Sequence, residues 1–310
     1  MLNSTALLTD HYELTMVRAA MRSGAAFRRS VFELFPRRLP TGRRYGVVAG
    51  VGRALEAIEA FTFDDATVSF LLEQKIVDQP LAEWLAGYRF TGSIWGYPEG
   101  EIYFPGSPLM IVEGSFAEAV ILETVLLSIY NYDSAVASAA SRMTAMAGDR
   151  PCIEMGSRRT NEIAAVAAAR AAYVAGFSAT SNLEAGRRYG VPTRGTAAHS
   201  FTLLHESERE AFAACLRELE PQKRVARVRD LCVTWTVTSR DMRDILRRAG
   251  GVTATDDEAV EEGADKPVET PVRDLHPAWW LAPIALGVVG CMATGALAVL
   301  ADSTAVLAAR

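Results

Sequence analysis

The sequence lacks the features that mark disulfide-built, metal-built or nucleic-acid-binding proteins. Its four cysteines, Cys152, Cys215, Cys232 and Cys291, are widely scattered. No two share the short spacing of a zinc site, and none has a histidine placed to complete one. They read as reduced, mostly buried thiols, and no metal-ligating set is assigned. Positive charge is not in excess either, since the formal net charge is -5 over 310 residues. That balance excludes a general nucleic-acid binder, which needs a basic stripe to release counterions. The G-x-x-x-x-G-K-[ST] loop is absent, so a nucleotide would have to be held by other contacts. No secretory leader is readable, because Asp10 and Glu13 fall where its apolar core would sit. The expected compartment is the cytoplasm.

What is present is bulk apolar content. Hydrophobic residues make up 50% of the chain, enough to bury one large core or two smaller ones. One stretch, Trp279 to Ala301, carries no charged side chain and is about the length that crosses a hydrocarbon core as a helix. A membrane reading takes Trp279-Trp280 as an interfacial anchor and Gly287, Gly290 and Gly295 as small contact positions. The other reading is accidental hydrophobicity in an aberrant tail, and both stay open from the sequence.

Periodicity organises the rest. Tyr12, Met16 and Ala20 recur at helical spacing, Asp10 and Glu13 suit a first turn, and Ser23-Gly24 suits a stop. Ser30 to Phe35 reads as a strand, followed by a basic loop with Arg37, Arg38 and Pro40-Thr41-Gly42. Three β-rich runs, Ser93 to Tyr97, Glu101 to Phe104 and Leu109 to Glu113, predict a small meander. Ser115 and Glu118 have the spacing of a capping box at the head of buried helices that reach about Ala147. Beyond Gly148 the rhythm becomes strand, polar loop, helix: Cys152 to Met155 then Asn161 to Tyr173, and Gly176 to Ala179 then Leu183 to Tyr189. A third strand near Val191 to Arg194 precedes a helix from about Ser207. This alternation predicts βα units on a parallel sheet.

In such a sheet, active sites gather on the loops that follow the strands, where helix N-termini converge. The first loop, Glu154 to Thr160, combines a glycine with Ser157, Arg158 and Arg159, which suits a phosphate. The second, Ala179 to Asn182, offers small hydrogen-bonding side chains. The third, Gly195 to Ser200, sets His199 beside hydroxyl donors. Each has a bland counterpart: solvated arginines, a helix cap, a structural imidazole. Three polar loops in succession make coincidence a poorer account.

These segments are recognisable as a set. LLTDHYELTM at Leu7 to Met16, EMGSRR at Glu154 to Arg159, TSN at Thr180 to Asn182 and YGVPTRGTAAHSF at Tyr189 to Phe201 resemble the nicotinate phosphoribosyltransferase family in order and spacing, as does EGSFAEAVILETVLL between them. The resemblance covers about residues 1–214. It implies formation of nicotinate mononucleotide from nicotinate and phosphoribosyl pyrophosphate, with ATP and Mg2+, in an ATP-dependent, ligase-type enzyme of NAD biosynthesis that acts as a homodimer. It also implies roles. Tyr12 and Thr196 correspond to the residues beside the pyridine ring, and Arg158 and Arg159 to the basic pair on phosphoribosyl pyrophosphate, with Ser157, Ser181 and Ser200 as supporting donors. His199 corresponds to the transiently phosphorylated histidine. A Rossmann-like phosphoribosyltransferase is discounted, because the nearest acidic pair, Asp64-Asp65, precedes a helix pattern instead of a Thr/Gly-rich loop.

The resemblance stops where the composition changes. Residues 215–310 run through an arginine-rich stretch, the acidic run Asp256 to Asp265 and a proline-containing linker, without the family's later Asp-Thr-Tyr-Asp-like, Arg-Leu-Asp-Ser-Gly-Asp-like and Gly/Thr-rich segments. A closed barrel needs eight strands, and three βα units are countable. The expected fold is therefore α/β. It has an N-terminal α+β domain at 1–114 and an incomplete phosphoribosyltransferase-type α/β barrel at 115–214. An atypical, partly disordered region at 215–278 and an apolar segment at 279–310 form a non-family tail. A shifted frame, a deletion or a fusion is the expected origin of that tail. The alternative function is an inactive truncated remnant that pairs with a complete subunit.

Overall fold

The computed structural model describes residues 4–195, 198–217 and 305–309. The chain divides into two compact units, residues 1–194 with 280–310, and residues 195–279. The expected apolar span Trp279 to Ala301 lies outside the described residues. Among the described residues, no helix is long and apolar enough to cross a membrane.

The first unit opens with α1, His11–Ser23, which ends where Gly24 adopts φ 75° and returns its N–H to Ala20 and Met21. Its bounds match the sequence reading, but its buried face does not. Glu13, Leu14 and Val17 point inward, Met16 and Ala20 pack at the margin of the core, and Tyr12 stays exposed. The face is rotated by about one residue because the carboxylate of Glu13 is drawn inward to accept from Thr124, which apolar periodicity does not register.

Strand β1, Arg29–Pro36, buries Phe32 and Leu34 in alternation. The short strand β2, Gly46–Val47, leads to helices α2 (Val51–Glu59), α3 (Asp65–Glu73) and α4 (Gln79–Ala86). Asp64 and Asp78 cap the last two, accepting from Thr67 N and Leu81 N. Next come β3 (Ser93–Gly96), β4 (Ile102–Tyr103) and β5 (Met110–Ser115). They do not form the expected meander. β3 and β5 pair antiparallel in a sheet of order β3-β5-β1-β8, with β8 formed by Ala305–Ala309, whereas β4 leaves to pair with β2. The hydrogen bond from Tyr97 N to Leu109 O closes the excursion, and bonds between Val48 and residues 100 and 101 anchor its tip elsewhere. The outer strand β8, Ala305–Ala309, lies antiparallel to β1 and was not foreseen inside the apolar tail.

Helices α5 (Phe116–Val120) and α6 (Glu123–Ala147) carry the core, with Ile121, Leu122 and Leu126 fully buried. Each such side chain contributes about 1.5–3 kcal/mol relative to exposure. The capping box at Ser115 forms as expected, with Glu118 N donating to Ser115 Oγ and Ser115 N donating to Glu118. The βα segment follows as β6 (Ile153–Glu154), α7 (Glu162–Val174), β7 (Ala179–Thr180) and α8 (Leu183–Tyr189). β6 and β7 are parallel, and Thr180 bridges in parallel to Thr193, so the three expected strands lie side by side.

Buried charge joins these pieces. Arg170 on α7 makes two 2.7 Å bonds to Glu99, whose Oε1 also accepts from Gly50 N at 2.7 Å. Arg53 on α2 contacts Asp133 on α6 at 2.5 Å. Burial raises the Asp133 carboxyl to about 6 despite Arg53, and its Oδ2 has no hydrogen-bond partner among the described residues. The second unit is described through α9 (His199–Leu203) and α10 (Glu208–Arg217), where Phe201 packs its ring 4.7 Å from His205.

Candidate active site

The first two expected loops leave adjacent parallel strands and are bonded to each other. After β6 the chain tightens into a 3-10 turn, Gly156–Arg158, closed by Arg159 N on Gly156 O at 2.8 Å. After β7, Ser181 N donates to Glu154 O at 2.8 Å, and Asn182 turns the chain into α8 by accepting from Ala185 N at 2.9 Å. Asn182 also donates through Nδ2 to Ser157 Oγ at 3.1 Å. The bland reading of this triplet as a helix cap is thus correct, and the same side chain still ties the two loops. Ser157 Oγ is the acceptor there, so its own proton is not used in that bond. The strand that ends at Arg194 joins the same framework, with Arg194 N donating to Thr180 O at 2.9 Å.

The residue that organises this arrangement was missed by the sequence reading. Glu154 is only 3% exposed, and its carboxylate accepts from Gly156 N on one oxygen and from Thr180 Oγ1 at 2.6 Å on the other. Thr180 Oγ1 accepts in turn from Asn182 N at 3.0 Å. A buried carboxylate is tolerated only when hydrogen bonds replace its water, and here the two loops supply them. The signal available in the sequence was an acid two residues before the Gly-Ser-Arg-Arg turn, which is indistinguishable from a surface acid until burial is known.

Arg158 and Arg159 are exposed, and their guanidiniums enter no hydrogen bond or ion pair among the described residues. Arg53, Arg170 and Arg188, by contrast, are each committed to a carboxylate. Two uncommitted guanidiniums on a glycine turn can receive a polyanion. Ser181, half-buried, lies in the second loop.

Tyr12 is held apart from these two loops. It stands in the first turn of α1 with its hydroxyl directed at Glu123, and burial together with that acid raises its pKa. Its neighbour Glu13 is fully buried and accepts from Thr124 N at 3.0 Å, Thr124 Oγ1 at 2.6 Å and Thr9 Oγ1. Burial lifts the Glu13 carboxyl to about 6, with the Thr124 and Thr9 bonds opposing. Tyr12 therefore meets α6 at its first residue, whereas the first loop meets it at Tyr132, whose hydroxyl lies 3.4 Å from Thr160 Oγ1. At 1.5 Å per residue the two attachments are roughly 13 Å apart along the helix. No hydrogen bond or ring contact joins Tyr12 to the loops among the described residues. Thr196 lies outside the described residues. In the second unit, His199 and Ser200 open α9 and both are exposed.

Comparison with known proteins finds similarity over the first two thirds of the chain. Residues 7–131 match the nicotinate phosphoribosyltransferase (NAPRTase) N-terminal domain. Over 223 residues the chain is 61% identical to nicotinate phosphoribosyltransferase pncB1 of Mycobacterium tuberculosis, covering 69% of this chain and 49% of that protein. It is 41% identical over 211 residues to nicotinate phosphoribosyltransferase of Bacillus subtilis, covering 68% and 43%. The crystal structure of human nicotinic acid phosphoribosyltransferase aligns with a TM-score of 0.59 and 29% identity, over 78% of this chain and 51% of that one. The chain thus spans about half the length of the curated relatives it matches. Over the segment it shares with them, the chain is similar to the nicotinate phosphoribosyltransferases.

Proposed function

We propose that the chain acts as a nicotinate phosphoribosyltransferase. The observation that carries this reading is the bonding of two polar turns at neighbouring parallel strand ends, with the uncommitted pair Arg158 and Arg159 beside them. Nicotinate's ring nitrogen forms a bond to the anomeric carbon of phosphoribosyl pyrophosphate, the carbon–oxygen bond to pyrophosphate breaks, and nicotinate mononucleotide results. Such a step needs a held polyanion and an aligned flat ring more than a covalent catalyst. Arg158 and Arg159, with Ser157, Ser181 and Ser200 as donors, take the polyanion. Tyr12 and Thr196 take the ring. His199 takes the γ-phosphoryl group of ATP on an imidazole nitrogen as ADP leaves, and water later removes it.

Among the described residues no group of three or more His, Cys, Asp or Glu could hold a metal ion, and both oxygens of Glu154 are engaged. Mg2+ bound together with the polyphosphate would spread the leaving group's charge, while Arg158 and Arg159 hold the polyanion. The reading extends to the fold, in which the β6, β7 and Thr193 strands begin an α/β barrel on an N-terminal α+β domain. It also extends to homodimer assembly and to the cytoplasm, a reducing compartment that suits the free thiols Cys152 and Cys215. The test is nicotinate mononucleotide formation by the purified full chain. Product is expected, with a yield that falls when ATP is omitted and an ATP response that disappears in His199→Ala. Absence of product rejects the activity, and an undiminished ATP response in His199→Ala rejects the role of that imidazole.

A further inference from the structure

We propose that Glu154 is the positioning residue of the polyanion site, holding the Gly156–Arg159 turn and the Thr180–Asn182 turn in one register. The proposal rests on the reading of those turns given above. Its basis is geometric: one carboxylate oxygen fixes the backbone N–H that starts the arginine turn, and the other fixes the hydroxyl that starts the second turn. Ser181 N on Glu154 O and Asn182 Nδ2 on Ser157 Oγ close the ring of contacts on either side. Glu154 is almost fully enclosed, so it acts through the two turns and not by touching the ligand itself.

Charge and position predict opposite signs for one substitution. A carboxylate acting only through its field opposes an incoming polyanion, so Glu154→Gln would tighten binding. A carboxylate that sets loop geometry is different. The glutamine amide presents a donor where an acceptor is needed, the turns shift, and binding weakens despite the lost negative charge. Displacements near 1 Å at a positioned site cost on the order of 100-fold, so a loss of at least tenfold is the expected result.

The measurement is magnesium pyrophosphate affinity by calorimetry on the full chain, with thermal unfolding followed in parallel. Glu154→Gln and Thr180→Val should each weaken binding, and the double variant should be no weaker than Glu154→Gln alone, because both remove one coupled contact. Thr180→Ser, which keeps the hydroxyl, should bind like the parent. If Glu154→Gln fails to fold, Thr180→Val carries the test with the carboxylate intact. Tighter or unchanged affinity in Glu154→Gln, or independent additive losses, overturns the proposal. Arg158→Ala combined with Arg159→Ala tests the underlying reading separately. Unchanged affinity there removes the polyanion site itself, whereas a loss there with no effect of Glu154→Gln removes only the positioning role.

Discussion

Glu13 shows how one buried side chain can serve both fold and site. Its carboxylate is fully enclosed yet receives Thr124 N and two threonine hydroxyls, fixing the turn of α1 that displays Tyr12. Burial raises its pKa from an ordinary 4.5 to about 6. The folded state therefore binds the proton more tightly than the unfolded chain. The stabilisation from that proton is complete below about 4.5 and is lost as pH rises through about 6, a swing of about 2 kcal/mol. Glu13→Gln should remove that part of the pH dependence, which urea unfolding of parent and variant at pH 4.5 and pH 7.5 measures directly. An identical pH difference in the two proteins would contradict the burial argument. Because Glu13 adjoins Tyr12, the same variant should also weaken nicotinate binding at neutral pH, read by calorimetry.

At the scale of elements, local signals were the legible ones. The bounds of α1, the Ser115 capping box and the strand–helix alternation after Gly148 follow from periodicity, caps and glycine stops, all of which act within a few residues. The partnering of β4 with β2 was not legible, since two-residue strands more than fifty positions apart carry no pattern of their own. Within the candidate site the loops were visible by composition, but the link through Glu154 depends on burial that composition does not encode. The capping box should be worth about 1 kcal/mol, so Ser115→Ala should lower the unfolding free energy by that amount. Gly50 should be far less tolerant. It sits at φ 97°, and an added Cβ would lie 3.0 Å from Ile129 Cγ2 and 3.1 Å from Asp133 Cβ. The left-handed backbone alone costs a side-chain-bearing residue about 1–2 kcal/mol, and Gly50→Ala should exceed this in denaturant unfolding while also disturbing the Arg53–Asp133 pair.

For the whole molecule, the charged contacts of Arg170 with Glu99 and Arg53 with Asp133 tie the N-terminal elements to the βα segment. Burial would raise the Glu99 carboxyl, but the Arg170 guanidinium outweighs it and holds the group below its usual range. Its contribution is present at neutral pH and fades as the solution is acidified through that lowered value. Arg170→Ala leaves the acid enclosed and unpaired, and should cost about 3 kcal/mol. Hydrogen exchange should show the loss as faster opening of α7, with β1 and β5 little changed. The loops around Glu154 are knit from contacts between residues 152 and 194, a short span of chain that can assemble early in folding. The pairing of Pro36 with Ala305 stands at the other extreme. During synthesis on the ribosome, one flank of β1 has no strand beside it until residues 305–309 emerge. For most of translation the growing polypeptide offers that flank to any neighbouring chain, which makes β1 the place where chaperone capture or cross-pairing between nascent copies would begin.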